Sequence, residues 1–190
     1  MIQPLLSEID FTQSLLITGE QRSGKSELAR TLIKAWSAQP DTELLLIGES
    51  LAFLKHLPNL HRFGVTSHYW DAVGALSEAR NYIYKRNHGT PMFPRLVVAI
   101  DDFYAYHQAI PNGKGALAHS PRTDFLNYAK DVAIHGPSLN VCLLAVAQPN
   151  PLQLHLDFKQ HLNVTKPIPD WNNVPYVLTN QRNTYEFFAA

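Results

Sequence analysis

Short apolar runs alternate with amphipathic stretches along most of this chain. Leu15, Leu16 and Ile17 form the first run, as a strand buried on both faces would, and a strand is expected over about 14–18. Leu28, Leu32, Ile33 and Trp36 then recur at helix spacing, with Glu27, Arg30 and Lys34 between them, predicting a helix over about 25–37. Gln39-Pro40-Asp41 breaks it. Glu43 to Ile47 reads as a second buried strand, Ser50 to Leu57 as a short helix, and Arg62 to Val65 as a brief strand. Ser67 can cap a longer helix over about 68–87, in which Trp70, Val73, Leu76, Ala79 and Ile83 repeat. The partly β-branched run Leu96–Ile100 predicts a central strand. A further helix is expected from Thr123 to His135, with Phe125, Leu126, Ala129, Val132 and Ala133 on one face. A strand follows over 141–146, and 162–165, 176–178 and 184–188 are candidate strands. Strands alternating with helices predict an α/β domain with a mainly parallel central sheet flanked by helices.

The first strand and helix enclose Gly19-Glu20-Gln21-Arg22-Ser23-Gly24-Lys25-Ser26, which matches G-x-x-x-x-G-K-[ST], the phosphate-binding P-loop, at every fixed position. Gly19 and Gly24 let the backbone turn so that successive N–H groups face a phosphate, and the helix adds its positive N-terminal end. Lys25 places a point charge on the outer phosphates, and the Ser26 hydroxyl suits Mg2+, which takes a few protein oxygens plus water and phosphate. ATP and Mg2+ are the expected ligands. Glu20, Gln21, Arg22 and Ser23 complete the cradle through their backbone. The Arg22 side chain either contacts phosphate or points to solvent.

Composition narrows the field. At 190 residues one domain over 1–190 is expected, with a core at about 14–150 and a strand-rich extension at about 151–190. The 16 basic residues balance 16 acidic ones, so no global basic field advertises nucleic acid, although a local ring of charge stays open. Cys142 is the only cysteine, which excludes a disulfide within the chain, suits a reducing cytoplasm, and in its apolar run reads as an inert core thiol. No apolar run approaches the length of a membrane span, and the N-terminus lacks a secretory signal pattern. His56 and His61, or His155 and His161, have no third ligand at a recognisable distance.

Two further strand ends carry chemistry. Asp101 and Asp102 follow Leu96–Ile100 directly, the Walker B pattern. Asp101 is expected to hold Mg2+ through water, and Asp102 to polarise the attacking water. Gln148 ends the next strand, where ligands of open α/β sheets sit. The plain alternatives are two acids capping a rim loop and a solvated glutamine before a proline.

The order GEQRSGKS, LVVAIDDF, a helix ending Ala133-Ile134-His135-Gly136, and LLAVAQP resembles the FtsK/HerA superfamily of P-loop ATPases, which includes DNA translocases, TraG-like coupling proteins and viral DNA-packaging ATPases. The match covers about residues 14–150. The resemblance implies a P-loop NTPase fold of RecA/ASCE type, with the strand of Gln148 lying between the P-loop strand and the Walker B strand. It implies that Gly19, Gly24, Lys25 and Ser26 take nucleotide and Mg2+, that Asp101 takes the metal, and that Asp102 and Gln148 stand at the catalytic acid and γ-phosphate sensor positions. Three departures stand out. Asp102 replaces the usual Glu and is one methylene shorter, Ala147 replaces the usual Thr, and Pro137-Ser138-Leu139-Asn140 is longer than usual. The winged-helix module and membrane anchor of larger relatives are not visible.

Such ATPases work as rings, usually hexamers, with an arginine donated across the subunit boundary. Arg182 is the first candidate, and Arg122 and Arg86 are its rivals; an ordinary surface arginine is the alternative for each. Residues 104–122 read as a long irregular loop, and Tyr104, Tyr106, His107, Lys114, His119 and Arg122 in it suit either nucleic-acid contact or a plain surface loop. Trp70, Tyr82 and Tyr84 are expected in the core. The leading reading is an ATP-driven motor that translocates or packages DNA. Its rivals are a Zot-like assembly or switch ATPase, and a small-molecule or nucleotide kinase, which lacks support from any arginine-rich lid.

Overall fold

The computed structural model describes residues 8–64, 69–111, 121–148 and 158–164, and the backbone of 174–180 and 184–189. Eight strands form one sheet: β1 (Leu15–Gly19), β2 (Thr42–Ile47), β3 (Leu60–Gly64), β4 (Arg95–Ile100), β5 (Val141–Ala147), β6 (Gln160–Val164), β7 (Val174–Asn180) and β8 (Thr184–Ala189). Their order is β3-β2-β4-β5-β1-β6-β7-β8. From β3 to β6 every pairing is parallel, and β7 and β8 add an antiparallel ribbon. Among the described residues the α-helices are α1 (Lys25–Ser37), α2 (Tyr69–Asn87), α3 (Phe103–Ala109) and α4 (Pro121–His135), and 3-10 turns run over Glu49–Leu54 and Pro137–Leu139. Ser67, the expected cap of α2, and the expected strand ends Val65 and Thr165 lie outside the described residues.

The sheet separates two apolar cores because alternate residues of a strand face opposite ways. Leu96, Val98 and Ile100 of β4, and Val141, Leu143, Ala145 and Ala147 of β5, meet α2, α3 and α4. Val97 and Ala99, with Cys142, Leu144 and Val146, meet the Leu28, Ala29, Leu32, Ile33 and Trp36 face of α1. Covered on both faces, β5 throughout and β4 after Arg95 have no polar positions, which is why they read as unbroken apolar runs. The Cys142 thiol sits in the second core, and burial pushes its pKa up to about 12, so it stays protonated and inert.

Several expectations are corrected. Residues 104–122 are not one irregular loop. Phe103, Tyr106 and Ile110 are fully buried, and the spacing of the three turns 103–109 into a helix packed against Phe125. Lys114 and His119 lie outside the described residues. Trp70 and Tyr84 are exposed (55% and 65%), because α2 buries the stripe Ala72, Ala75, Leu76, Ala79 and Ile83. Its alanines let the helix close on the sheet, and the large aromatics fall on other faces. Residues 8–14, the lead-in to β1, pack at the opposite end of the sheet from the P-loop, whereas residues 1–13 read from sequence as a segment beside the nucleotide site. Asp10 N–H donates to Gln160 Oε1 (2.9 Å), Gln160 Nε2 donates back to Asp10 O (2.8 Å), and Trp36 Nε1 in the last turn of α1 donates to Phe11 O (2.9 Å). Among the described residues no helix is long and apolar enough to cross a membrane.

Arg86 closes the same end of the structure. Only 5% exposed, it donates to Leu139 O (2.7 Å), Asn140 O (2.9 Å) and Pro94 O, and stacks over the Tyr82 ring at 5.2 Å. It thereby joins the end of α2 to the chain entering β4 and β5. Removing it leaves buried carbonyls without donors, each of which carries a desolvation cost. Arg86→Met is expected to lower unfolding stability by roughly 2–4 kcal/mol, measured by urea denaturation.

Candidate nucleotide site

The site is built at the carboxyl ends of three neighbouring strands, β4, β5 and β1, where the chain leaves the sheet in different directions. β5 does lie between the P-loop strand and the Asp101 strand, the order that the family resemblance implies. Hydrogen bonding in register pairs Ile17 with Val146 and Ile100 with Ala145, so the three strand ends finish close to one level.

Gly19 ends β1 against β6. A β-carbon there would stand 2.4 Å from Val164 O, so only glycine allows the two strands to approach this closely. The chain then folds over itself, with Ser23 N–H donating to Glu20 O (3.2 Å) and Arg22 in the left-handed region (φ 63°). Gly24 is left-handed as well (φ 95°) and caps α1, and its carbonyl accepts from Leu28 N–H (3.0 Å). The first N–H groups of α1 have no acceptor within the helix and face the loop's concavity, as an anion site requires. Lys25 Nζ reaches back over the loop to Glu20 O (2.6 Å). Partial burial lowers the Lys25 pKa, and the charges of Asp101 and then Asp102 pull it the other way.

Asp101 is 6% exposed and held at both ends of the residue. Its N–H donates to Ile47 O (2.9 Å), its Oδ1 accepts from Asp102 N–H (3.0 Å), and its Oδ2 accepts from the Ser50 hydroxyl. Asp102 adopts a left-handed conformation (φ 59°, ψ 45°), which aspartate tolerates better than most residues. Partial desolvation raises its pKa, the Asp101 charge adds to this, and Lys25 opposes it. Gln148 follows β5 with its side chain exposed.

These groups share one cleft of about 340 Å3, lined by Gln21, Arg22, Lys25, Ser26, Asp101, Asp102 and Gln148 among others. Gly19, Glu20, Ser23 and Gly24 shape the loop beneath it. Ser23, 4% exposed, is part of that support. Gly48, Glu49 and Ser50 also line the cleft, and sequence reasoning missed all three. They follow β2, which pairs with β4, and nothing local to Gly48-Glu49-Ser50 announces that neighbour. The donor set fits a nucleotide with Mg2+. Ser26 and Asp101 offer hard oxygens at the cleft, the ligand type that Mg2+ takes together with phosphate and water.

The arginine candidates separate. Arg86 is consumed by buried carbonyls and cannot reach a neighbouring subunit. Arg122 Nε and Nη2 donate to Ile110 O (2.9 Å) and Gln108 O (2.7 Å), so it fastens the end of α3 to the start of α4. Its charge, after burial, also lowers the His107 pKa. Arg182 lies outside the described residues.

Fold and phosphate loop together are those of a P-loop NTPase. No protein-family profile matches the sequence, and no curated protein matches it. Solved structures do. ATPases 2 and 3 of Thermomonospora curvata EccC, in complex with a signal sequence peptide, align with a TM-score of 0.61 at 12% identity over 93% of this chain. The cytoplasmic domain of EssC aligns with a TM-score of 0.61 at 13% identity, again over 93%. The chain spans 37% of the length of either. At such identities the likeness is one of fold.

Gly19→Ala is expected to force β1 and β6 apart, lowering stability by about 1–3 kcal/mol and weakening ATP binding, as read by thermal melts with and without nucleotide.

Proposed function

We propose that this chain is a cytoplasmic, Mg2+-dependent ATP-hydrolysing motor domain of FtsK/HerA type that works in a ring, on the pattern of a hexamer, and moves DNA. The observation that carries the reading is the meeting of Lys25, Asp101, Asp102 and Gln148 in one cleft from three adjacent strand ends. Phosphoryl transfer asks the protein mainly for positioning and for charge placed against the transferring group. The P-loop backbone and Lys25 bind the phosphates, Ser26 and Asp101 hold the metal, and Asp102 stands on the water side of the site. Gln148, free at the strand end, reads the γ-phosphate and passes its presence or loss along β5. Bound Mg2+ supplies charge neutralisation across the phosphates. Arg182, which lies in sequence between β7 and β8, is the arginine offered across the ring.

A second cargo deserves a test of its own, because the EccC structure holds a signal sequence peptide. A formal charge of zero sets up no strong field toward DNA, which is compatible with a polypeptide cargo or with a local DNA-binding ring surface.

The deciding measurement is ATP hydrolysis by the purified protein with and without double-stranded and single-stranded DNA, with molar mass from light scattering. Stimulation by DNA at a ring-sized mass is the expected result. Turnover indifferent to DNA from a monomer would overturn the DNA motor, leaving peptide stimulation as the next readout. Lys25→Ala is expected to abolish turnover. Gln148→Ala is expected to keep ATP affinity within about threefold while slowing hydrolysis by about tenfold or more. Loss of binding in a folded Gln148→Ala protein would remove the sensor role.

A further inference from the structure

We infer that Glu49, at the end of β2, is the carboxylate that activates the attacking water, and that Asp102 has a lesser part in the step. This rests on the ATPase reading above and assigns a residue within it.

Glu49 lines the nucleotide cleft together with the P-loop residues Gln21, Arg22 and Lys25. Its backbone is held by the metal acid on both sides. Gly48 before it packs so tightly on Asp101 that a β-carbon would lie 3.0 Å from Asp101 Cβ, and Ser50 after it donates its hydroxyl to Asp101 Oδ2. Three more bonds fix the turn: Gly48 N–H to Gly64 O (3.1 Å), Leu51 N–H to Gly48 O (3.1 Å), and Arg30 Nη1 to Ser50 O (3.0 Å). Leu51 and Leu54, both fully buried, anchor it to the core against α1. Among the described residues no hydrogen bond or ion pair engages the Glu49 carboxylate. It is thus a free acceptor on a rigid mount beside the metal acid, which is what a water-positioning base needs.

Asp102 is less well suited. Its side chain is one methylene shorter, its backbone is turned into the left-handed region, and its N–H is tied to Asp101 Oδ1. In the proposed step the oxygen of water attacks the γ-phosphorus while Glu49 takes one of its protons. The bond from the γ-phosphorus to the β–γ bridging oxygen breaks, and ADP leaves with that electron pair. The proton then passes from Glu49 to solvent, leaving ADP and inorganic phosphate.

The test compares wild type, Glu49→Gln and Asp102→Asn by three readouts: melting temperature, binding of a fluorescent ATP analogue, and steady-state ATP turnover. Because the Glu49 side chain is exposed and unbonded, Glu49→Gln is expected to melt like wild type and bind the analogue within about threefold. Its turnover is expected to fall by about 100-fold or more, the scale of lost general-base catalysis, while that of Asp102→Asn falls less. After incubation with ATP and gel filtration, Glu49→Gln is expected to retain ATP where wild type retains ADP. Turnover in Glu49→Gln within about tenfold of wild type, or a larger loss in Asp102→Asn, overturns the assignment while leaving the ATPase reading standing. Absence of turnover in wild type removes both.

Discussion

Parallel pairing of β4, β5 and β1 is the constraint on which the rest depends. Their shared register brings the ends of segments far apart in sequence to one rim, and both faces of the strands are sealed by helices. With the layers between sheet and helices predominantly apolar, the strands cannot slip without exposing an apolar face or burying a polar one. The rim inherits that rigidity. Lys25, Asp101 and Gln148 need no long loops to find one another, because each sits within a residue or so of a fixed backbone end or helix start.

The same rim concentrates charge. Burial lowers the Lys25 pKa with Asp101 and Asp102 opposing, and burial raises that of Asp102 with the Asp101 charge adding and Lys25 opposing. Asp101 is spared isolation by two donors, the Ser50 hydroxyl and the Asp102 N–H. The metal acid is therefore part of the scaffold as much as of the chemistry. The turn after β2, which carries Glu49, is fastened through that acid. A chain-distant segment enters the site by the same route as the P-loop, through an adjacent parallel strand.

Where sequence reading succeeded and failed follows from local physics. The P-loop was legible because its fixed positions are contiguous and Gly24 answers a local demand, a left-handed cap, whereas the need for Gly19 is set by Val164 of β6. Helix α1 was placed without error because its apolar stripe and its Lys25 start coincide. Helix α3 was missed because its seven residues give less than two full turns of pattern, and Tyr104 and His107 made it look polar. Trp70 and Tyr84 read as inward from their helical spacing, whereas α2 meets the sheet mainly through small residues, Ala72, Ala75 and Ala79. Arg86 looked like any helix-end arginine, since the carbonyls it satisfies belong to residues about fifty positions away and to the chain entering β4.

By itself the sequence determined the alternation of strands and helices, the phosphate loop, and the acids and glutamine at strand ends, because each is written in contiguous residues under short-range steric and periodic rules. Only the tertiary structure decided which strands are neighbours. That choice places β2 beside β4, brings Glu49 and Ser50 to Asp101, turns Arg86 inward and Trp70 outward, and sends the lead-in to the far end of the sheet. Strand order depends on how helices of particular lengths and small-residue faces pack across both sides of the sheet, and no window of the chain contains that information.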